Sequence, residues 1–125
     1  MAGILRKLFN RRRDERIPLS TEIKVRMMGQ EIVAADCKNI CMGGMCIVLG
    51  TKPPEAGTGT VWLSRDYPNE YIRFEASFRV VWSKPEDPGS DRTMMGLVFQ
   101  DLVPKQRDNL RTVLKREEKL RASHN

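Results

Sequence analysis

Hydrophobic and polar residues alternate along much of the chain, which is the pattern of β-strands that bury one face. The alternation is strict from Leu19 to Met27 and is longest from Tyr71 to Trp82. Shorter apolar runs lie between and after these two segments. The pattern predicts six strands, at residues 19–27, 31–38, 45–49, 61–64, 71–82 and 94–99.

Glycine, proline and polar residues separate these strands. Gly29-Gln30 suits a hairpin turn, and Pro18 suits the start of the first strand, where no ladder donor is needed. Residues 50–59 and 84–92 are predicted to be loops, and residues 65–70 a polar turn. Short strands at regular spacing predict a mainly β fold, a small antiparallel six-stranded β-barrel.

A helical pattern closes the chain. It begins at Pro104, a residue tolerated in the first turn, and continues to about Ala122. Leu110, Val113, Leu114 and Leu120 give this C-terminal α-helix an apolar stripe, and Arg, Lys and Glu occupy its other faces. Residues 1–10 also have helix-like apolar spacing, but a helix this short would need a surface to dock on.

The positive charge is concentrated at one end of the chain. The 125 residues carry a net charge of +6, and residues 1–16 contain six Arg or Lys against two acidic residues. We therefore divide the chain into a basic N-terminal arm (1–16), a single barrel domain with its helix (17–122) and a tail (123–125). Such an arm could bind nucleic acid, an acidic membrane or a phosphorylated ligand, or could be a solvated tail.

Several function classes find no support in the sequence. No apolar run approaches the roughly 20 residues of a membrane span, and the N-terminus lacks the features of a signal peptide, so we expect a cytoplasmic protein. Cys37, Cys41 and Cys46 are predicted to be buried or half-buried thiols rather than metal ligands or disulfides, because their number is odd and the only histidine is His124. No catalytic motif occurs. We expect a binding module, not an enzyme.

Two short motifs carry the candidate chemistry. Arg12-x-x-x-Arg16 lies in the arm, and Asn39-x-Cys41-x-x-Gly44 follows about one hairpin later. With this spacing and strand order, residues 11 to 115 resemble the PilZ domain family, whose members are receptors for the bacterial second messenger cyclic di-GMP. The family signature is R-x-x-x-R followed by (D/N)-x-S-x-x-G. Cys41 therefore stands where serine is usual, and a thiol is a poorer hydrogen-bonding group than a hydroxyl.

The resemblance implies roles for individual residues. Arg12 and Arg16 would clamp the ligand, since a guanidinium binds both phosphate and the O6 and N7 acceptors of guanine. Asn39 and Cys41 would face a base or a phosphate. The remaining residues that the resemblance places at the cyclic di-GMP site are Arg11, Arg13, Gly43, Gly44 and Trp82.

Alternatives remain for the two tryptophans and for the function. Trp82 could instead belong to the barrel core, and Trp62 is expected in the core. By resemblance, we expect a cyclic di-GMP receptor or adaptor whose arm closes over the ligand and alters a surface for a protein partner, in processes such as motility or biofilm formation. It would be a monomer or homodimer, with no DNA or RNA partner and no cofactor. An adaptor that has lost ligand binding is the main competitor, and a nucleic-acid-binding barrel ranks third.

Overall fold

A computed structural model describes residues 16–27, 29–50 and 57–123 and confirms the predicted fold class. The elements among these residues are β1 (Ile17–Met27), β2 (Val33–Ile40), β3 (Gly44–Leu49), β4 (Thr58–Tyr67), β5 (Glu70–Pro85), β6 (Thr93–Gln100) and α1 (Pro104–Ser123). The six antiparallel strands close a barrel in the order β1-β2-β3-β6-β5-β4, and helix α1 follows the last strand.

The alternating residues form the core as the pattern predicts. Ile23 and Val25 of β1 and Phe74 and Phe78 of β5 point into the barrel and are almost fully buried. Burial of such side chains stabilises the fold by about 1.5–3 kcal/mol each. The three cysteines are buried, as predicted.

Strand β4 is longer than the sequence suggested. It continues through the predicted polar turn to Tyr67 and reaches β5 through a tight turn at Pro68-Asn69, where Asn69 adopts a φ of 65°. The polar side chains of this stretch resemble a turn in composition. They form a strand because β5 pairs with them along their whole length and the helix covers one side.

Trp62 was wrongly expected in the core. It lies on the outer face of β4, where its Nε1 donates a hydrogen bond of 2.6 Å to Glu75 Oε1. Its neighbours Val61 and Leu63 are both buried inside the barrel. Because side chains alternate along a strand, the residue between them must point outward.

Helix α1 covers an open edge of the barrel. Residues 70–76 of β5 extend beyond the end of β6, so their outer backbone groups have no strand partner in the described sheet. The amide of Glu75 donates to Gln106 Oε1 at 2.8 Å, and Asn109 Nδ2 donates to the Arg73 carbonyl at 2.8 Å. Leu110 and Val113, on the barrel-facing side of the helix, are fully buried. The helix thus satisfies an edge that would otherwise be exposed.

A buried carboxylate fixes the helix to β4. Glu117 Oε2 accepts hydrogen bonds from Tyr67 Oη at 2.7 Å and from Arg65 Nη2 at 3.0 Å. Burial, together with the bond to Glu117, raises the pKa of Tyr67 to about 12, so its hydroxyl remains a donor at neutral pH. In the sequence Glu117 lies among charged residues and outside the predicted apolar stripe, so the sequence pattern did not indicate that it is buried.

Some sequence predictions fall outside the described residues. The proposed helix at residues 1–10 and most of the loop at 50–59 belong to this group. The division into arm, domain and tail likewise stays a prediction. Within the described residues, no helix is long and apolar enough to cross a bilayer.

The Tyr67–Glu117 bond predicts a stability effect that a matched control can isolate. Tyr67→Phe should lower the free energy of unfolding by about 1–2 kcal/mol, because it leaves a buried carboxylate with one donor fewer. Tyr71→Phe should change it by less than about 0.5 kcal/mol, since Tyr71 is exposed. Urea unfolding followed by circular dichroism measures both, and equal losses would contradict the assignment.

Candidate functional site

One row of paired residues crosses four strands on the outer face of the barrel. Asn39 of β2 pairs with Cys46 of β3, Cys46 with Gly96 of β6, and Gly96 with Trp82 of β5. The two middle residues are small, and the two end residues carry large polar or aromatic side chains. The row therefore forms a shallow floor between two larger groups.

A β-bulge in β2 determines where Asn39 points. Cys37 pairs with Ile47 and Asn39 with Cys46, so Lys38 is one extra residue in β2. Cys37 lies in the core, and without the bulge Asn39 would also point inward. The extra residue instead places Lys38 and Asn39 together on the outer face, as bulges near binding sites commonly do.

A second bulge, in β5, does the same for Trp82. Val80 pairs with Leu97 and Trp82 with Gly96, so Val81 is the extra residue. Phe78 belongs to the core and Val80 packs against it, and uninterrupted alternation would have placed Trp82 inside as well. The bulge shifts the alternation, and Trp82 and Lys84 both face outward. The alternative of a core position for Trp82 is thereby excluded.

Strand pairing brings Arg16 to the same place. Ile17, the first residue of β1, pairs with Ile40 at the end of β2. Arg16 directly precedes Ile17 and therefore lies beside the segment that carries Asn39. The two motifs, 23 positions apart from Arg16 to Asn39, are joined by the β1–β2 register.

These residues surround an outer-face cavity of about 690 Å³. Three cationic side chains and two acidic ones contribute to its wall, so its charge is positive overall. The Lys84 Nζ atom lies 5.8 Å from the centre of the Trp82 ring. The lining residues are Arg16, Lys38, Asn39, Cys46, Trp82, Lys84, Glu86, Asp87 and Met94.

Two polar groups of the row stand out electrostatically. The Oδ1 atom of Asn39 is buried, and no hydrogen-bond donor of the described residues reaches it. Buried polar atoms in folded proteins nearly always have a partner, so this oxygen is poised to accept a hydrogen bond. Burial raises the pKa of the Cys46 thiol, although Arg16, Lys38 and Lys84 act in the opposite direction. Cys46 is therefore a neutral part of the floor at pH 7.

The structure brings together three of the predicted site residues, since Arg16, Asn39 and Trp82 all line the cavity. Arg11, Arg12 and Arg13 lie outside the described residues. The turn that contains Cys41, Gly43 and Gly44 lies at the end of β2, beside the cavity rather than in its wall.

Cys41 and Gly44 are held within this turn. The Cys41 side chain is buried, and its amide donates to the Gly44 carbonyl at 2.8 Å. A Cβ atom at position 44 would overlap the Leu97 carbonyl oxygen. Glycine is thus needed here for close approach of β3 to β6. The contacts of Cys41, Gly43 and Gly44 with a ligand stay predictions.

Sequence reasoning missed six lining residues, for two different reasons. Lys38 adjoins Asn39 and Lys84 is two residues from Trp82, so a search of the neighbours of predicted site residues would have found both. The others depend on strand pairing and loop geometry that the sequence does not reveal. They are Cys46, Glu86, Asp87 and Met94.

Gly96 is predicted to position Trp82. A Cβ atom at residue 96 would overlap the indole of Trp82, which lies directly over this glycine. Gly96→Ala should displace the indole, lower the free energy of unfolding by about 1–3 kcal/mol and shift the Trp82 indole N–H resonance. Gly50→Ala is the control, because a Cβ there meets nothing within 4 Å. An unshifted Trp82 resonance in Gly96→Ala would contradict this packing.

Comparisons with known structures agree with this architecture. The chain is similar to the Bacillus subtilis inhibitor of motility, MotI/DgrA, with a TM-score of 0.69 and 18% identity, over 89% of this chain and 53% of that one. It is similar to the PilZ domain of CeSA from a cellulose-synthesizing bacterium, with a TM-score of 0.57 and 17% identity, over 83% of this chain and 98% of that one.

A third similar structure is the Borreliella burgdorferi PlzA protein, which was solved in complex with c-di-GMP. The TM-score is 0.58 and the identity 13%, over 99% of this chain and 58% of that one. The chain thus spans little more than half the length of MotI/DgrA and of PlzA. No curated protein sequence matches it. The PilZ domain family matches residues 10–116, and the chain therefore belongs to the PilZ domain family.

Proposed function

We propose that this protein is a cyclic di-GMP receptor without catalytic activity, and that the cavity over the Asn39–Trp82 row is its ligand site. The observation that carries the proposal is the combination found in that cavity. Cationic side chains, an aromatic platform and Asn39, whose buried Oδ1 has no donor among the described residues, line the same space. Membership of a family of cyclic di-GMP receptors and adaptors supports it.

The chemistry of cyclic di-GMP matches these groups one by one. Its two phosphodiester anions suit Arg16, Lys38 and Lys84, which form charge-assisted hydrogen bonds with phosphate oxygens. Its guanines are flat and suit stacking on the Trp82 indole. The Asn39 oxygen suits the N–H donors on the guanine edge, since an amide carbonyl accepts such bonds.

The structural neighbours support the same assignment. PlzA was solved in complex with c-di-GMP, and MotI/DgrA is an inhibitor of motility. We propose a corresponding mode of action for this chain. Arg12 and the rest of the basic arm close over the bound ligand, and the change alters a surface for a protein partner in processes such as motility or biofilm formation. A cytoplasmic location suits such a receptor.

A second candidate is a PilZ adaptor that acts without ligand. The observation that favours it is Cys41, which replaces the signature serine and is buried beside the cavity instead of lining it. The two candidates differ in a single measurable property, binding of cyclic di-GMP.

Isothermal titration with cyclic di-GMP tests the proposal. The wild-type protein should bind at micromolar ligand. Arg16→Ala should weaken binding by at least about 30-fold, because it removes a charge-assisted fork to phosphate. Asn39→Ala should weaken it by about five- to tenfold through loss of one hydrogen bond.

Arg107→Ala is the matched control for Arg16→Ala. Arg107 is an exposed arginine of α1, outside the cavity lining, so its removal should leave affinity within about twofold. Absence of binding by the wild-type protein would favour the ligand-independent adaptor. Retained affinity in Arg16→Ala would place the ligand elsewhere.

A further inference from the structure

The cavity wall contains an acidic residue that an anionic ligand has to meet. Glu86 follows directly after β5 and begins the loop to β6. Its amide donates to the Arg92 carbonyl at 2.9 Å, which fixes the base of this loop. Its side chain is 19% exposed, much less than that of Lys38 at 49%, and it lines the cavity beside Lys38 and Lys84.

Glu86 is held by two cations from different segments, Lys38 of β2 and Arg92 directly before β6. Lys38 Nζ lies 3.4 Å from Glu86 Oε2, and Arg92 Nε lies 3.2 Å from Glu86 Oε1. Arg92 also pairs with Asp36, at 2.8 Å between Nη2 and Oδ2. Lys38 is the bulge residue of β2, so its long side chain joins the ligand cavity to this ion-pair cluster.

We propose that Glu86 is an internal counter-anion that competes with the ligand for Lys38, a role that rests on the proposed function. In the free protein the Glu86 carboxylate occupies one face of the Lys38 ammonium. A phosphodiester that enters the cavity takes over the Lys38 ammonium and brings its own negative charge towards Glu86. Glu86 therefore lowers the affinity of the site.

The geometry makes this exchange inexpensive. Glu86 keeps its ion pair with Arg92 when Lys38 turns away, so the Glu86 carboxylate is not left without a cation. The Lys38 ammonium lies at the end of a half-exposed, unbranched side chain, and ion pairs of this exposure contribute little to stability. The loop base is fixed by backbone bonding, so Lys38 is the partner that moves. The consequence is a receptor that responds at a higher ligand concentration than its cations alone would set.

Titration calorimetry with cyclic di-GMP on the full chain tests the proposal, at fixed ionic strength because these charges are half-solvated. Glu86→Gln keeps the shape of the side chain and removes its charge, and should tighten binding by about three- to tenfold. In a Lys38→Gln background, the same substitution should change affinity by less than about twofold, since there is no ammonium to compete for.

Asp87→Asn is the matched control. Asp87 lines the same cavity, and no ion pair of its side chain is seen among the described residues. If only the summed charge of the cavity mattered, Asp87→Asn would tighten binding as much as Glu86→Gln. Competition for Lys38 predicts a clearly smaller effect. Thermal unfolding without ligand verifies that each variant is folded.

The outcomes separate the two proposals. Wild-type binding with unchanged or weaker affinity in Glu86→Gln would overturn the role of Glu86 and leave the receptor assignment intact. Equal effects of Glu86→Gln and Asp87→Asn, or an undiminished effect of Glu86→Gln without Lys38, would also overturn it. Failure of the wild-type protein and of every variant to bind would overturn the receptor assignment and, with it, the role of Glu86.

Discussion

Two β-bulges, one in β2 and one in β5, determine the outer surface of this barrel. Each inserts one residue into a strand and thereby reverses which side the following side chains face. The bulges lie at opposite ends of the row that runs from Asn39 to Trp82. Without them, an asparagine and a tryptophan would be directed into the core. With them, both flank a floor of small residues on the outside.

The floor depends in turn on close packing. Gly96 allows the Trp82 indole to lie against β6, and Gly44 allows β3 and β6 to approach each other. Protein interiors are densely packed, so neighbouring atoms have little room to move. These glycines therefore fix the shape of the surface rather than add flexibility to it. Helix α1 covers the part of β5 that β6 does not pair with, and the buried Glu117 holds the helix to β4. The cavity thus stands on a rigid support.

The sequence predicted the barrel well, because strand alternation is local and several strands here are long. Its two motifs contain Arg16 and Asn39, which the strand register brings to one cavity, and their contacts with a ligand stay predictions. It could not predict the bulges, since an extra residue such as Val81 looks like any other member of an alternating segment. For that reason the sequence left a core position open for Trp82. Trp62 was wrongly assigned to the core, although strand alternation should have placed it outside. Glu86 reaches the site only through loop geometry.

The most direct measurement is a titration of the isotopically labelled protein with cyclic di-GMP, followed through the two indole N–H resonances. Trp82 lines the cavity, whereas Trp62 lies outside its lining and donates to Glu75. Binding over the row predicts that the Trp82 indole and the Asn39 side-chain amide shift strongly while the Trp62 indole remains within its free-state line width. A shift of Trp62 with Trp82 unchanged would contradict the site.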